Sequence, residues 1–202
     1  TIAYQVDDLC YALEGSIFMA GANFQWLRDK MNFFEDVIES EELAKRADPN
    51  TNVYLIPAFV GLGAPHWVPD ARGAIFGLTR DSGKEELSLA THEAVAFQTK
   101  EIISSLENDG INVDSVRIDG GLSRNTFFNQ ILSSIIEVEV LCSKTVESTA
   151  LGAAYLAGIG AGEVSLEDVS KEWAPKEEYQ PDSSYDLGRY YTWKEFLNRL
   201  IS

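Results

Sequence analysis

The hydrophobic and polar positions change period several times along the chain. Thr1–Val6 and Leu9–Leu13 read as two strands, and Asp7-Asp8 between them predicts a hairpin. After Gly15, Phe24, Leu27 and Met31 recur at helical spacing, which predicts a helix over Phe18–Met31. A second helical pattern, Phe34–Arg46, stops at the turn residues Asp48-Pro49-Asn50. Val53–Phe59 is mostly apolar, as in a strand covered on both faces. The loop Gly61–Gly73, GLGAPHWVPDARG, is long enough to suggest a function, and Trp67 argues against disorder. Ala74–Leu78 resumes a strand. The longest helical pattern is Lys84–Leu106, with Leu87, Ala90, Ala94 and Phe97 on one stripe and Asn108-Asp109-Gly110 ending it.

From Val113 the order is strand (Val113–Ile118), glycine turn, helix (Thr126–Ile136), strand (Val138–Cys142) and helix (Ser148–Gly158). This alternation predicts an α/β layer with a parallel portion of sheet. Trp173–Pro181 reads as loop and Tyr185–Leu200 as a final amphipathic helix. Without internal repeats or low-complexity segments, one domain is expected.

A formal net charge of −16 is the unusual feature of the composition. It opposes unspecific attraction to nucleic-acid phosphates or anionic membrane surfaces, which both need a cationic face. Cys10 and Cys142 are far apart and sit in apolar runs, with neither metal spacing nor a disulfide framework. No apolar run approaches the roughly 20 residues that span a bilayer, and no secretory signal opens the chain. A cytoplasmic location is expected. Because the chain starts at Thr1 within a strand-like run, a fragment truncated at its N-terminal edge is expected too.

Candidate chemistry gathers at VRIDGGLSRN, residues 116–125. Two glycines after a strand can simply make a turn, because glycine accepts positive φ. They can also let a ligand approach the backbone, with helix-start N–H groups facing it. Spacing alone leaves both readings open. In FMAGANFQWLRD, residues 18–29, Gln25 lies one helical turn after Gly21, so a bare backbone patch stands beside an amide; a nucleoside or close helix packing suits it equally. The small residues of STALGAAYLAGIGAG, residues 148–162, let a helix approach a sheet or another helix. Its Gly158–Gly162 run ends a helix and reads as a cap. His92, on the long helix, reads as structural or exposed, and His66 is left undecided.

Together, Tyr11–Asp29, Pro57–Arg80, VRIDGGLSRN and Thr149–Gly158 resemble the C-terminal half of glycerol kinases, which belong to the carbohydrate kinases with an actin-like ATPase fold. The resemblance covers about residues 10 to 160 and fades in the tail. It departs at His92, where an apolar residue is usual, and at Val68, where an acid commonly follows the tryptophan. It implies an α/β domain of the ribonuclease-H-like type, a mixed sheet flanked by helices. ATP or ADP would be contacted by Gly21 and Gln25 and by Gly121 and Asn125, with Gly120 in the same turn and Asp119 orienting it.

The resemblance also implies what these residues lack. The general-base Asp, the magnesium-organising residues and nearly all glycerol contacts belong upstream, so neither a catalytic nor a metal-binding residue is expected here and the fragment alone should be inactive. ATP and Mg2+ are the implied cofactors, glycerol the implied substrate through the missing part, and a homo-oligomer, dimer or tetramer, the implied full-length state. A kinase for another polyol or sugar, or a regulatory nucleotide-binding module, are the competing readings.

Overall fold

The computed structural model describes residues 1–6 and 8–202; Asp7, half of the predicted hairpin turn, lies outside the described residues. β1 (Ile2–Gln5) and β2 (Leu9–Tyr11) pair antiparallel, Gln5 opposite Leu9. The first helix, α1, covers Gly21–Asp29, shorter than its periodicity predicted. Phe24 and Leu27 are buried, but Met31 lies beyond the helix end and is 41% exposed. α2 is Glu39–Arg46, because residues 35–38 form bends and turns that lead into it. β3 (Tyr54–Ile56) and β4 (Ala74–Phe76) pair antiparallel, and all three β3 residues are buried.

The segment between β3 and β4 is built on close backbone approach. The Ala64 amide donates to the Ser16 carbonyl at 3.0 Å, and a Cβ on Gly63 would sit 2.1 Å from that same oxygen. Only glycine fits there. Leu62 and Val68 exchange both backbone bonds, so the loop is folded on itself, with Trp67 edge-on to Phe18.

α3 (Lys84–Asn108) is the spine of the molecule. Its apolar stripe predicted one buried face, yet every residue from Ser88 to Gln98 is buried. The reason is tertiary: α2, β3 and the helix α4 (Thr126–Ile136) all pack against it. Ala90, Ala94 and Ala96 keep its girth small enough for that. β5 (Ser115–Ile118) and β6 (Glu139–Ser143) run parallel, with Ile118 opposite Cys142. A 3-10 turn, Gly121–Arg124, and then α4 make the crossover between them, with Ile131, Ile135 and Val140 in the common core.

α5 (Ser148–Gly160) follows, ended by Gly162 at φ 76°; of the glycine run predicted as a cap, Gly158 and Gly160 lie within the helix and only Gly162 caps it. The expected close packing of α5 is not seen: none of its residues is buried among the described residues, and a Cβ on Gly152 would meet open space. Small side chains permit close approach, but they do not supply the surface approached. A further helix, α6 (Leu166–Glu172), begins at a Ser165–Asp168 capping box. The predicted tail loop is instead a strand, β7 (Pro175–Tyr179), antiparallel to β6. Proline at its first position is compatible with an edge strand. The sheet order β5-β6-β7 is therefore mixed. Finally α7 (Gly188–Ile201) buries Tyr190, Trp193 and Leu197, and the Trp193 indole donates to the Leu55 carbonyl at 2.8 Å.

Candidate nucleotide site

Four of the five residues suspected from sequence line a single cleft of about 440 Å³: Gly21 and Gln25 from α1, and Gly121 and Asn125 from the segment that joins β5 to α4. The two pairs are separated by about a hundred residues in sequence, so no local rule brings them together. Their meeting follows from α1 and α4 both packing around the buried ring of His92: Phe24 stands edge-on to it at 4.7 Å, Phe127 at 5.7 Å.

Gly21 and Gly121 are exposed, and a Cβ built on either meets nothing within 4 Å. The fold itself therefore has no steric need for glycine at these positions, and the bare backbone faces open cleft. Gly120 is different. It does not line the cleft, and its φ of 82° and ψ of −176° belong to a region open essentially to glycine alone. It reverses the chain at the end of β5 so that Gly121 can face outward. Asp119 accepts the Ser148 amide at 3.3 Å and thereby ties the turn to the start of α5. That agrees with an orienting role and gives it no contact with the cleft.

Asn125 sits where β5's turn becomes α4. Its Oδ1 accepts the Phe128 amide at 2.7 Å, the usual N-cap bond that satisfies one of the free helix donors. Its Nδ2 lies 3.0 Å from His92 Nε2. His92 is fully buried, and its Nδ1 lies 2.8 Å from the Ser88 carbonyl. A carbonyl only accepts, so Nδ1 carries the proton and Nε2 offers its lone pair to Asn125. Burial lowers the His92 pKa to about 4, against smaller opposing effects of the Ser88 carbonyl and the Glu41 carboxylate, so the ring is neutral at pH 7. His92 is thus structural, as its place on the helix suggested, but it is not exposed.

Charges of both signs border the cleft. Arg124 and Arg28 are the cations, the latter paired with Asp29 at 2.6 Å. Asp36 and Glu41 are the carboxylates that line it, and Glu41 is the partly buried one. Partial burial favours its neutral form, but bonds from Lys45, Thr126 and the Phe127 amide outweigh this and hold its pKa below the usual range. Thr126 Oγ1 donates to it at 3.0 Å, tying α2 to the start of α4. Sequence reading missed Glu41, Arg28 and Arg124 because nothing local marks an exposed charge as cleft-facing. The long loop Gly61–Gly73, where a function was suspected, contributes no residue to this cleft. His66 in that loop lies 3.6 Å from Glu101, beyond a hydrogen bond, and burial lowers its pKa. No cluster of three His, Cys, Asp or Glu side chains able to hold a metal lies among the described residues, and no helix among them is long and apolar enough to cross a membrane.

Comparison with known proteins identifies the family and the fold. Residues 3–161 match the sequence model of the FGGY family of carbohydrate kinases, C-terminal domain. Glycerol kinase of Alteromonas mediterranea is 45% identical over 99% of this chain, and a Coxiella burnetii glycerol kinase is 46% identical over 100% of this chain. The chain spans 41% of the length of each. The crystal structure of Plasmodium falciparum glycerol kinase with ADP superimposes on the whole chain with a TM-score of 0.85 at 35% identity, which uses 42% of that protein. A ligand-bound xylulose kinase from Lactobacillus acidophilus matches 93% of the chain at a TM-score of 0.80 and 24% identity, evidence of shared fold alone. The mixed sheet flanked by helices is accordingly the actin-like kinase fold, and the chain belongs to the FGGY family of carbohydrate kinases, matching the family's C-terminal domain.

Proposed function

We propose that these residues form the nucleotide-side domain of an ATP-dependent glycerol kinase, with Gly21, Gln25, Gly121 and Asn125 as the nucleotide contacts and Gly120 shaping their turn. The observation that carries this reading is the convergence of the two glycine segments on one cleft whose glycines the fold does not sterically require. The ADP-bound relative supports it. In this reading Gly121 lets the nucleotide lie against bare backbone, and Gln25 and Asn125 supply amide groups for its polar edges. The α1 start has no side-chain cap, so its free N–H groups add a favourable field for negative charge.

Phosphoryl transfer relies on positioning and on neutralising charge. Mg2+ carried with ATP would supply the neutralisation. Its ligands, the general base and the glycerol contacts come from a part of the protein these residues do not contain. The single-domain assignment, the homo-oligomer, the cytoplasmic location and glycerol as substrate all belong to this proposal. Identities of 45% and 46% to glycerol kinases favour glycerol over another polyol. The test is a titration of ADP into the protein at its natural length, unsubstituted and with Gly121→Val, beside a coupled assay with Mg-ATP and a panel of polyols. Loss of ADP binding on substitution and turnover of glycerol above the other polyols are expected. Equal ADP binding by both proteins would refute the site, and preference for another polyol would refute the substrate.

A further inference from the structure

The buried groups offer one inference that deepens the nucleotide reading and rests on it. We propose that His92, which lines no part of the cleft, is the positioning residue of the site: it fixes the orientation of the Asn125 amide and braces the α1 wall through Phe24.

An asparagine at a helix start can present either its oxygen or its nitrogen to a given neighbour. Here two fixed partners decide. The Phe128 amide takes Oδ1 at 2.7 Å, and the lone pair of His92 Nε2 takes Nδ2 at 3.0 Å. The second partner works only because His92 is itself fixed. Its Nδ1–H is committed to the Ser88 carbonyl at 2.8 Å, one helical turn back on α3. Phe24, Phe127 and Phe128 hold the ring at centroid distances of 4.7, 5.7 and 6.3 Å. One N–H and one lone pair of the Asn125 amide are left over, and Asn125 lines the cleft. The chain Ser88–His92–Asn125 therefore runs from the fully buried spine of the molecule to the cleft surface. The same imidazole touches Phe24, which is buried between Gly21 and Gln25 on α1. A leucine of similar size would fill the space, but it would accept nothing from Asn125 and release the amide to rotate about its cap.

A double-mutant cycle on ADP affinity tests this, using the protein at its natural length with His92→Leu, Asn125→Ser and both together. Serine keeps the helix cap and removes the amide. Loss of one such hydrogen bond should weaken ADP binding about five- to tenfold in His92→Leu. The double variant should be no weaker than Asn125→Ser alone, because His92 acts through Asn125. His92→Gln, whose amide oxygen can accept the same N–H, should recover most of the affinity. Unchanged binding by His92→Leu, or effects that multiply in the double variant, would overturn the proposal. Nitrogen NMR of the unsubstituted protein guards against misfolded variants: a protonated His92 Nε2, or no coupling from Nε2 to Asn125 Nδ2, also overturns it. Absence of ADP binding by the unsubstituted protein, with that coupling intact, would instead refute the nucleotide reading.

Discussion

Arg189 and Glu93 are 96 positions apart in sequence, yet they form a two-point ion pair, with Arg189 Nε and Nη2 donating to the two Glu93 oxygens at 2.7 and 2.6 Å. The Glu93 side chain is 2% exposed and that of Arg189 12%. Tyr185 also donates to Glu93, and the guanidinium reaches the carbonyls of Thr51 and Val53. The pair pins α7 to the buried spine and to the entry of β3.

A buried pair of this kind should be costly to break on one side. Arg189→Met leaves the Glu93 carboxylate without its cation and should destabilise the fold by about 3–5 kcal/mol. Adding Glu93→Leu removes the stranded charge, so the double variant should lose less than Arg189→Met alone. Urea unfolding followed by tryptophan fluorescence reads both; a double variant at least as unstable as the single one would contradict the desolvation argument.

The two glycines of the turn should part company under substitution. Gly121→Val adds a side chain to open space and should alter stability by less than about 1 kcal/mol while abolishing ADP binding. Gly120→Ala forces an L-residue into the conformation at φ 82°, ψ −176° and should cost about 1–3 kcal/mol. Thermal unfolding beside ADP titration separates the two; a destabilised Gly121→Val would mean that the bare backbone serves packing.

His92 predicts how stability depends on acidity. Its pKa falls from 6.5 to about 4 on folding because the ring is buried. The unfolded chain therefore binds more protons than the native one between these values. The contribution is fully present above pH 6.5 and is lost as pH falls toward 4, by up to about 3 kcal/mol. Glu41 is the carboxylate that acts on the ring, and its bonds to Lys45 and Thr126 hold its own pKa below the usual carboxylate range. His92→Leu should flatten the slope of unfolding free energy between pH 6.5 and 4, and an unchanged slope would refute the assignment.

The two thiols should react in sequence. Cys142 is 3% exposed, and burial pushes its pKa up to about 11; Cys10 is partly exposed. Because the thiolate is the reactive form, iodoacetamide at pH 8 should label Cys10 in the native protein and Cys142 only on unfolding. Peptide mass spectrometry reads this directly, and early labelling of Cys142 would show β6 to be open.

The sequence alone determined the order of elements from β5 to α5, the bounds of α4 and the glycine turn, because period and punctuation are local properties of the chain. It also supplied Gly21, Gln25, Gly121 and Asn125 of the cleft, though only the company of several motifs raised the turn above a simple reversal. Tertiary structure decided the rest. α3 reads as a one-sided helix but is buried all round over residues 88–98, since periodicity records which residues are apolar and not how many neighbours arrive. β7 hides in a charged, proline-containing tail because an edge strand needs only a partner for its backbone and one covered face. The bond between His92 and Asn125 joins positions 33 residues apart and depends on which imidazole nitrogen holds the proton, settled by the Ser88 carbonyl. The Ser88 contact is local to α3, but the bond to Asn125 forms only when α3 and the start of α4 lie against each other, and no pattern along the chain encodes that meeting.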